Sequence, residues 1–299
     1  MKKILVIAAT AIVALTACSK TEVVEEHPQE IGINAINYVY TKAAHTGDLG
    51  VYAWNQNTTK EAFPNTQFTL QKDVWRGVTP QYWPGGNTLR FTVYAPFNNT
   101  KATIENGKIT NTAVAANVDL LYGSQVYEST KSEGTIPVTL KHAKTLVKFN
   151  ASCELDDLAT IESITLDNAA VSGAVEIVYD ELNPNPTIKW TKSAGPIEID
   201  GITSFSVKKE KAPVGNEIKI IPNDTGDETT PKGTCTIKYK LKGQSETLTI
   251  QKTLSGFWDK GKRYIYNLYF QSNEISFSVD VEDWVDVPNG EGEKITVEE

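Results

Sequence analysis

The chain has 299 residues, 40% of them hydrophobic and 22% charged, with a formal net charge of −8. That length suffices for about two domains, each able to bury a core. The acidic balance argues against a nucleic-acid partner and against electrostatic docking on anionic lipid.

The first element in chain order is a leader. Met1, Lys2 and Lys3 make a positive start, and the apolar run from Ile4 to Leu15 is too short to span a bilayer. It closes on Leu15-Thr16-Ala17-Cys18, which resembles the lipobox of bacterial lipoproteins. Residues 1–17 are therefore expected to be a signal peptide and Cys18 the lipidated residue, because the thioether to diacylglycerol is made on sulfur. Each acyl chain contributes about 0.8 kcal/mol per buried methylene, so two or three chains anchor effectively for good. The expected address is the outer membrane or cell surface, with membrane lipid as a partner through the anchor. Losing the leader removes two lysines, so the charge moves to −10 (−8 − 2) on 282 residues (299 − 17). No later segment approaches eighteen uninterrupted apolar residues, so no second span is expected.

Residues 18–29 are polar and acidic and end near Pro28, as a lipidated tether would. From there the apolar residues repeat at every second position. Ile31, Ile33 and Ala35 alternate with small or polar neighbours, as do Leu89, Phe91, Val93 and Ala95, then Ile136, Val138 and Leu140, and later Tyr264, Tyr266, Leu268 and Phe270. The clearest case is Ile275, Phe277, Val279 and Val281 against Ser276, Ser278, Asp280 and Glu282. Such alternation buries one face of a strand and wets the other. Asn55-Gln56-Asn57, Pro84-Gly85-Gly86-Asn87 and Asp259-Lys260-Gly261 supply turn chemistry between the runs. The pattern predicts an all-β chain of antiparallel sandwiches, with at most one helical turn at 157–161. The weakest strand pattern near the middle, Glu128 to Gly134, sets the expected division: an N-terminal sandwich over 30–131 and a C-terminal one, with a tail, over 132–299.

Chemistry is sparse. His27, His45 and His142 are the histidines, and no Gly-x-Ser-x-Gly elbow is present. Ser206 and Lys209 match Ser-x-x-Lys by letter without the companion motifs. The ligand spacings of zinc sites are missing, and Asp224, Asp227 and Glu228 lack the register of a calcium loop, so neither a metal nor another cofactor is expected. Cys153 and Cys235 lie on apolar faces of alternating runs. They are either a disulfide pair of an oxidising compartment or, the favoured reading, two buried free thiols. Trp54, Trp75, Tyr82, Trp83 and Trp190 offer surfaces that could stack on sugar, but aromatics at strand ends commonly serve the core.

Several stretches together resemble the fimbrillin family, lipoprotein pilins and pilin-like proteins of Gram-negative gut and mouth bacteria. They are the lipobox and tether, the strand from Ile31 to Tyr38 followed by Thr41-Lys42-Ala43, Gly50-Val51-Tyr52-Ala53-Trp54, and Tyr82-Trp83-Pro84 leading into Leu89 to Pro96. Asp119 to Tyr122, Val138 to Ala143, and a close of Trp258, Gly261, Tyr264 to Leu268 and Asp283-Trp284 complete the set. The resemblance implies two tandem transthyretin-like sandwiches and a structural or adhesive fimbrial subunit without enzymatic activity. Its implied partners are other fimbrial subunits and a host or bacterial surface glycan or protein. It further implies assembly by strand exchange: a cut after Lys42 releases the strand holding Ile31, Ile33 and Ala35, and a neighbour's strand fills the groove. The tail with Ile295 and Val297 on one face is the candidate donor. A glycan-binding surface lipoprotein with the same fold is the alternative.

Overall fold

The computed structural model describes residues 29–37, 47–98, 102–105, 108–116, 118–128, 134–179, 186–223, 233–254, 258–272 and 274–284. Within them every regular element is a strand, as the period-two pattern predicts. The order is β1 (Gly32–Asn37), β2 (Leu49–Asn55), β3 (Lys60–Gln71), β4 (Val74–Gly77), β5 (Thr88–Ala95), β6 (Ala102–Glu105), β7 (Lys108–Val114), β8 (Leu121–Glu128), β9 (Thr135–His142) and β10 (Thr145–Cys153). There follow β11 (Ala159–Ala169), β12 (Gly173–Val178), β13 (Thr187–Lys192), β14 (Gly195–Glu198), β15 (Phe205–Ser206), β16 (Ala212–Ile220), β17 (Gly233–Leu241), β18 (Leu248–Leu254), β19 (Lys262–Phe270) and β20 (Ile275–Asp283).

The first body departs from the expected open sandwich. Its strands run β1-β4-β3-β2-β5-β8-β9, and β1 pairs with β9 to close the sheet into a barrel. The closing ladder is parallel, from Gly32 opposite Thr135 to Asn37 opposite Leu140. Closure satisfies backbone groups that two open edges would leave to water. Inside lie Ile31, Ile33, Leu49, Val51, Phe68, Leu89, Phe91, Val93, Ile136 and Val138, all buried. Predicted turn chemistry holds at Asn55, whose Oδ1 accepts from the amides of Asn57 (3.0 Å) and Thr58 (3.1 Å) between β2 and β3. Gly50 is required by close approach: a Cβ there would lie 2.0 Å from the ring of Tyr94 on β5.

The second body is the sandwich that alternation predicts. One sheet runs β16-β10-β19-β20, and the other β14-β11-β17-β18 with β15 beside β11. Phe149, Ile161, Leu166, Ile237, Tyr266, Leu268 and Phe270 fill the space between them. Both cysteines are buried in this core as free thiols, and burial pushes Cys235 up to about 12. The sequence expectation of a helical turn at 157–161 fails. Asp157 sits in a turn at φ 60°, and β11 begins at Ala159, where branched side chains favour the strand.

β9 belongs to the barrel, and the next strand, β10, belongs to the sandwich, so the chain changes sheet at Ala143-Lys144. A fourth sheet, β13-β12-β7-β6, combines one hairpin from each body. Beneath it Tyr94, Leu120 and Tyr122 pack with Val175, Ile177 and Tyr179, and the Tyr179 hydroxyl donates to the Gly123 carbonyl at 2.9 Å.

Candidate functional site

The most unusual local arrangement is the seat of β1. Alternation gives this strand an inward face, and Ile31 and Ile33 are fully buried on it. The Ala35 side chain lies outside the described residues. Together the two isoleucines contribute roughly 3–6 kcal/mol of apolar burial. The neighbouring chain is tied in through its backbone. Ile31 N donates to Gln81 O at 2.8 Å, Gly32 N to Gly134 O at 2.6 Å, and Trp83 N to Gln29 O at 3.2 Å. Gly32 permits the closest approach: a Cβ there would stand 2.7 Å from Val74 and 2.9 Å from Gly134 O.

The two flanks of β1 are unequal. On the β9 side six residues are paired, whereas among the described residues only Gly32 and Ile33 pair with β4, opposite Arg76 and Trp75, and Glu30 bridges to Tyr82 just before the strand. Near the entry of the strand, Arg76 and Glu30 form an ion pair at 3.5 Å, half-exposed and worth little. Without β1 the barrel would open between β4 and β9, exposing Trp75, Phe68, Ile136 and Val138 along a groove with one long, unsatisfied strand edge. Such a groove accepts an extended apolar strand, through main-chain bonds for affinity and side-chain pockets for choice.

Cys18, Lys42, Ile295 and Val297 lie outside the described residues, as do His27, His45 and the acidic loop of Asp224, Asp227 and Glu228. The aromatic set is dispersed. Trp75 and Trp83 are buried in the barrel, where Trp75 Nε1 donates to Gly47 O at 2.9 Å and Trp83 meets Phe91 edge-on at 5.7 Å. Trp190 belongs to a different sheet, and Tyr82 is 49% exposed. Ser206 and Lys209 do not face each other as a nucleophile and base would. The Ser206 hydroxyl donates to Asp157 and the Lys209 amide to Asp156. Among the described residues no group of histidine, cysteine and carboxylates has the clustering of a metal site.

Sequence reasoning missed the seam between the bodies. Lys144, in the two-residue link, is fully buried, and its ammonium donates to the carbonyls of Ala115 (2.8 Å), Ala116 (3.2 Å) and Val171 (2.8 Å). Burial draws its pKa down to about 8, with Asp119 pulling it back up. Beside it His142 Nδ1 lies 3.0 Å from Asp119 Oδ1, and its ring stacks on Trp284 at 3.8 Å. The adjoining cleft, about 370 Å³, is flanked by Tyr122, Lys141, Lys260 and Lys262, the last paired to Asp283 at 2.6 Å. The available signal for Lys144 was a lone lysine inside the run Ala143 to Val147.

The profile of the fimbrillin-like family matches residues 39–284, a span that begins beyond β1. Among solved structures, a candidate cell adhesion protein of Bacteroides ovatus superposes with a TM-score of 0.59 at 13% identity, over 87% of this chain and 99% of that one. A fimbrial protein of Bacteroides vulgatus gives 0.58 at 16%, over 86% and 99%. A candidate cell adhesion protein of Bacteroides uniformis gives 0.55 at 18%, over 86% and 100%. These likenesses concern the fold. No curated protein matches the sequence.

Proposed function

Since the chain belongs to the fimbrillin-like family, we propose that it is a structural or adhesive subunit of a cell-surface fimbria, exported as a lipoprotein on Cys18 and assembled by strand exchange. The observation that supports this reading is the lopsided seat of β1: Ile33 and the preceding Ile31 fully buried, a long ladder to β9 and, among the described residues, only two residues paired with β4. A strand held in this way is removable as a unit, and the groove it leaves is specific for another strand.

On this reading the two bodies are tandem transthyretin-like modules, the first having closed its sheet through β1. Cleavage after Lys42 releases tether, lipid and β1 together, and the tail carrying Ile295 and Val297 supplies the replacement in a neighbouring subunit. The partners are other fimbrial subunits and, before cleavage, the lipid of the outer membrane. The role is mechanical rather than catalytic. Dispersal of the aromatic residues weighs against the glycan-binding alternative, because Trp75 and Trp83 serve the core.

The test is limited trypsin digestion of the folded full-length chain, read by mass spectrometry and electron microscopy. The expected result is one early cut after Lys42, followed by filaments. A chain that resists cleavage there, or that is cut and stays monomeric, overturns assembly by loss of β1.

A further inference from the structure

Sheet edges in the second body and the shared sheet are guarded, with one exception. β16 carries Pro213 and its ladder to β10 breaks register between Val147 and Phe149. β14 is four residues long and contains Pro196, and β6 is also four residues long. β18 turns Lys252 toward the side of Leu248 and Ile250, and β13 carries Lys189 and Lys192. Proline, bulges, shortness and inward lysines are the devices by which natural edges refuse further strands.

β20 has none of them. It runs nine residues in unbroken antiparallel register with β19, and among the described residues β19 is its only strand partner. Its core-side residues are apolar from Ile275 to Val281, and Asp283 ends the strand on the same face. Ile275 and Phe277 reach the core, whereas Val279 is 46% and Val281 52% exposed. Its acidic groups, Asp280 and Glu282 on the other face and Asp283 on this one, are already engaged by β19. Lys262 meets Asp283 at 2.6 Å, Arg263 meets Glu282 at 3.1 Å, and Asn267 donates to Asp280 at 2.7 Å.

We propose that β20 is a self-docking edge, pairing antiparallel with β20 of a second copy about a two-fold axis through Val279. The sequence of the strand is complementary to itself in that register. Val279 meets Val279, Phe277 meets Val281, Ser278 meets Asp280, and Ser276 meets Glu282. Apart from the end pair, Ile275 against Asp283, apolar residues oppose apolar ones, Asp280 and Glu282 each face a hydroxyl donor, and no two carboxylates stand directly opposite. One-residue slips pair side chains of opposite faces and lose this match. Pairing joins the two sheets β16-β10-β19-β20 into one continuous sheet and covers Val279 and Val281. An edge contact alone buries at most about 1,200 Å², the low end for specific interfaces, so the dimer is a weak one that forms with concentration.

The register gives a direct test. Directly opposite residues in an antiparallel pair bring their Cα atoms to about 4.5–5.5 Å, within disulfide range. In the full-length chain carrying Cys18→Ser, Val279→Cys is expected to cross-link into dimers under mild oxidation. Leu155→Cys, somewhat more exposed and elsewhere on the same body, is expected not to. Without oxidation, sedimentation should show a concentration-dependent dimer whose dissociation constant rises about tenfold or more in Val279→Lys. A chain monomeric at all concentrations, equal cross-linking of both cysteine variants, or a dimer indifferent to Val279→Lys overturns the proposal. So does a dimer that appears only when the chain is ended at Trp284, because the edge would then belong to the chain's own tail.

Discussion

β1 and β20 carry the same kind of sequence, alternating apolar and polar residues over one strand, yet they occupy opposite situations. β1 sets Ile33, with Ile31 just before the strand, in the barrel core and, among the described residues, is thinly paired with β4. β20 is paired along its whole length on one flank and leaves Val279 and Val281 half in water. The contrast teaches that alternation specifies which residues share a face, whereas the neighbouring strands decide whether that face is a core or a contact surface.

Substitution separates the two cases most sharply. Ile33→Asp places a carboxylate in a fully buried site and is expected to cost more than about 4 kcal/mol. In thermal unfolding followed by near-ultraviolet circular dichroism, the barrel transition should fall far below that of the sandwich or vanish. The second largest effect is expected at the seam that holds the two cases in one molecule. Lys144→Met leaves the carbonyls of Ala115, Ala116 and Val171 without their buried donor, for a loss of up to about 3 kcal/mol and a splitting of the unfolding transition. The same lysine gives a pH signature. Its folded pKa, about 8, lies below the usual 10.5, so between these values the unfolded chain holds a proton that the folded chain releases. Stability of the native chain relative to Lys144→Met should therefore rise between pH 8 and 10.5, by at most roughly 3 kcal/mol, and be flat below pH 8. Denaturant titrations of both chains across that range measure it. The smallest effect is expected for Val279→Lys in dilute protein, within about 0.5 kcal/mol of the native chain, because the position is already exposed.

Much of this was legible in the sequence, for a physical reason. Burial on one face imposes a period of two, and Leu89, Phe91 and Val93 or Tyr264, Tyr266 and Leu268 are buried as that period requires. Closure of the barrel was not legible, because the ladder between β1 and β9 is parallel and joins residues about a hundred positions apart, with no local mark. The change of sheet between β9 and β10 was not legible either, because it occupies two residues with no shift in composition. The aromatic residues misled for a similar reason. A tryptophan has the same letter whether it faces sugar or, like Trp83, the edge of a phenylalanine. Alternation placed Ile31 and Ile33 on one face of a strand, their part in a removable strand rested on the family resemblance, and the inequality of the flanks around them emerged only with the neighbours in place.

The shared sheet β13-β12-β7-β6 has a mechanical consequence. The covalent joint between the bodies is short, and a joint of that kind is ordinarily where a chain flexes. Here β7 from one body and β12 from the other are laced by a ladder running from Gly173 opposite Val114 to Val178 opposite Lys108. Tension that would hinge the bodies apart must first break that lacing, and Lys144 rivets the strip from below by gripping carbonyls on both sides of it. The molecule is thus built to transmit a pull from one end to the other as a splint does, with the load spread across backbone hydrogen bonds instead of resting on two residues.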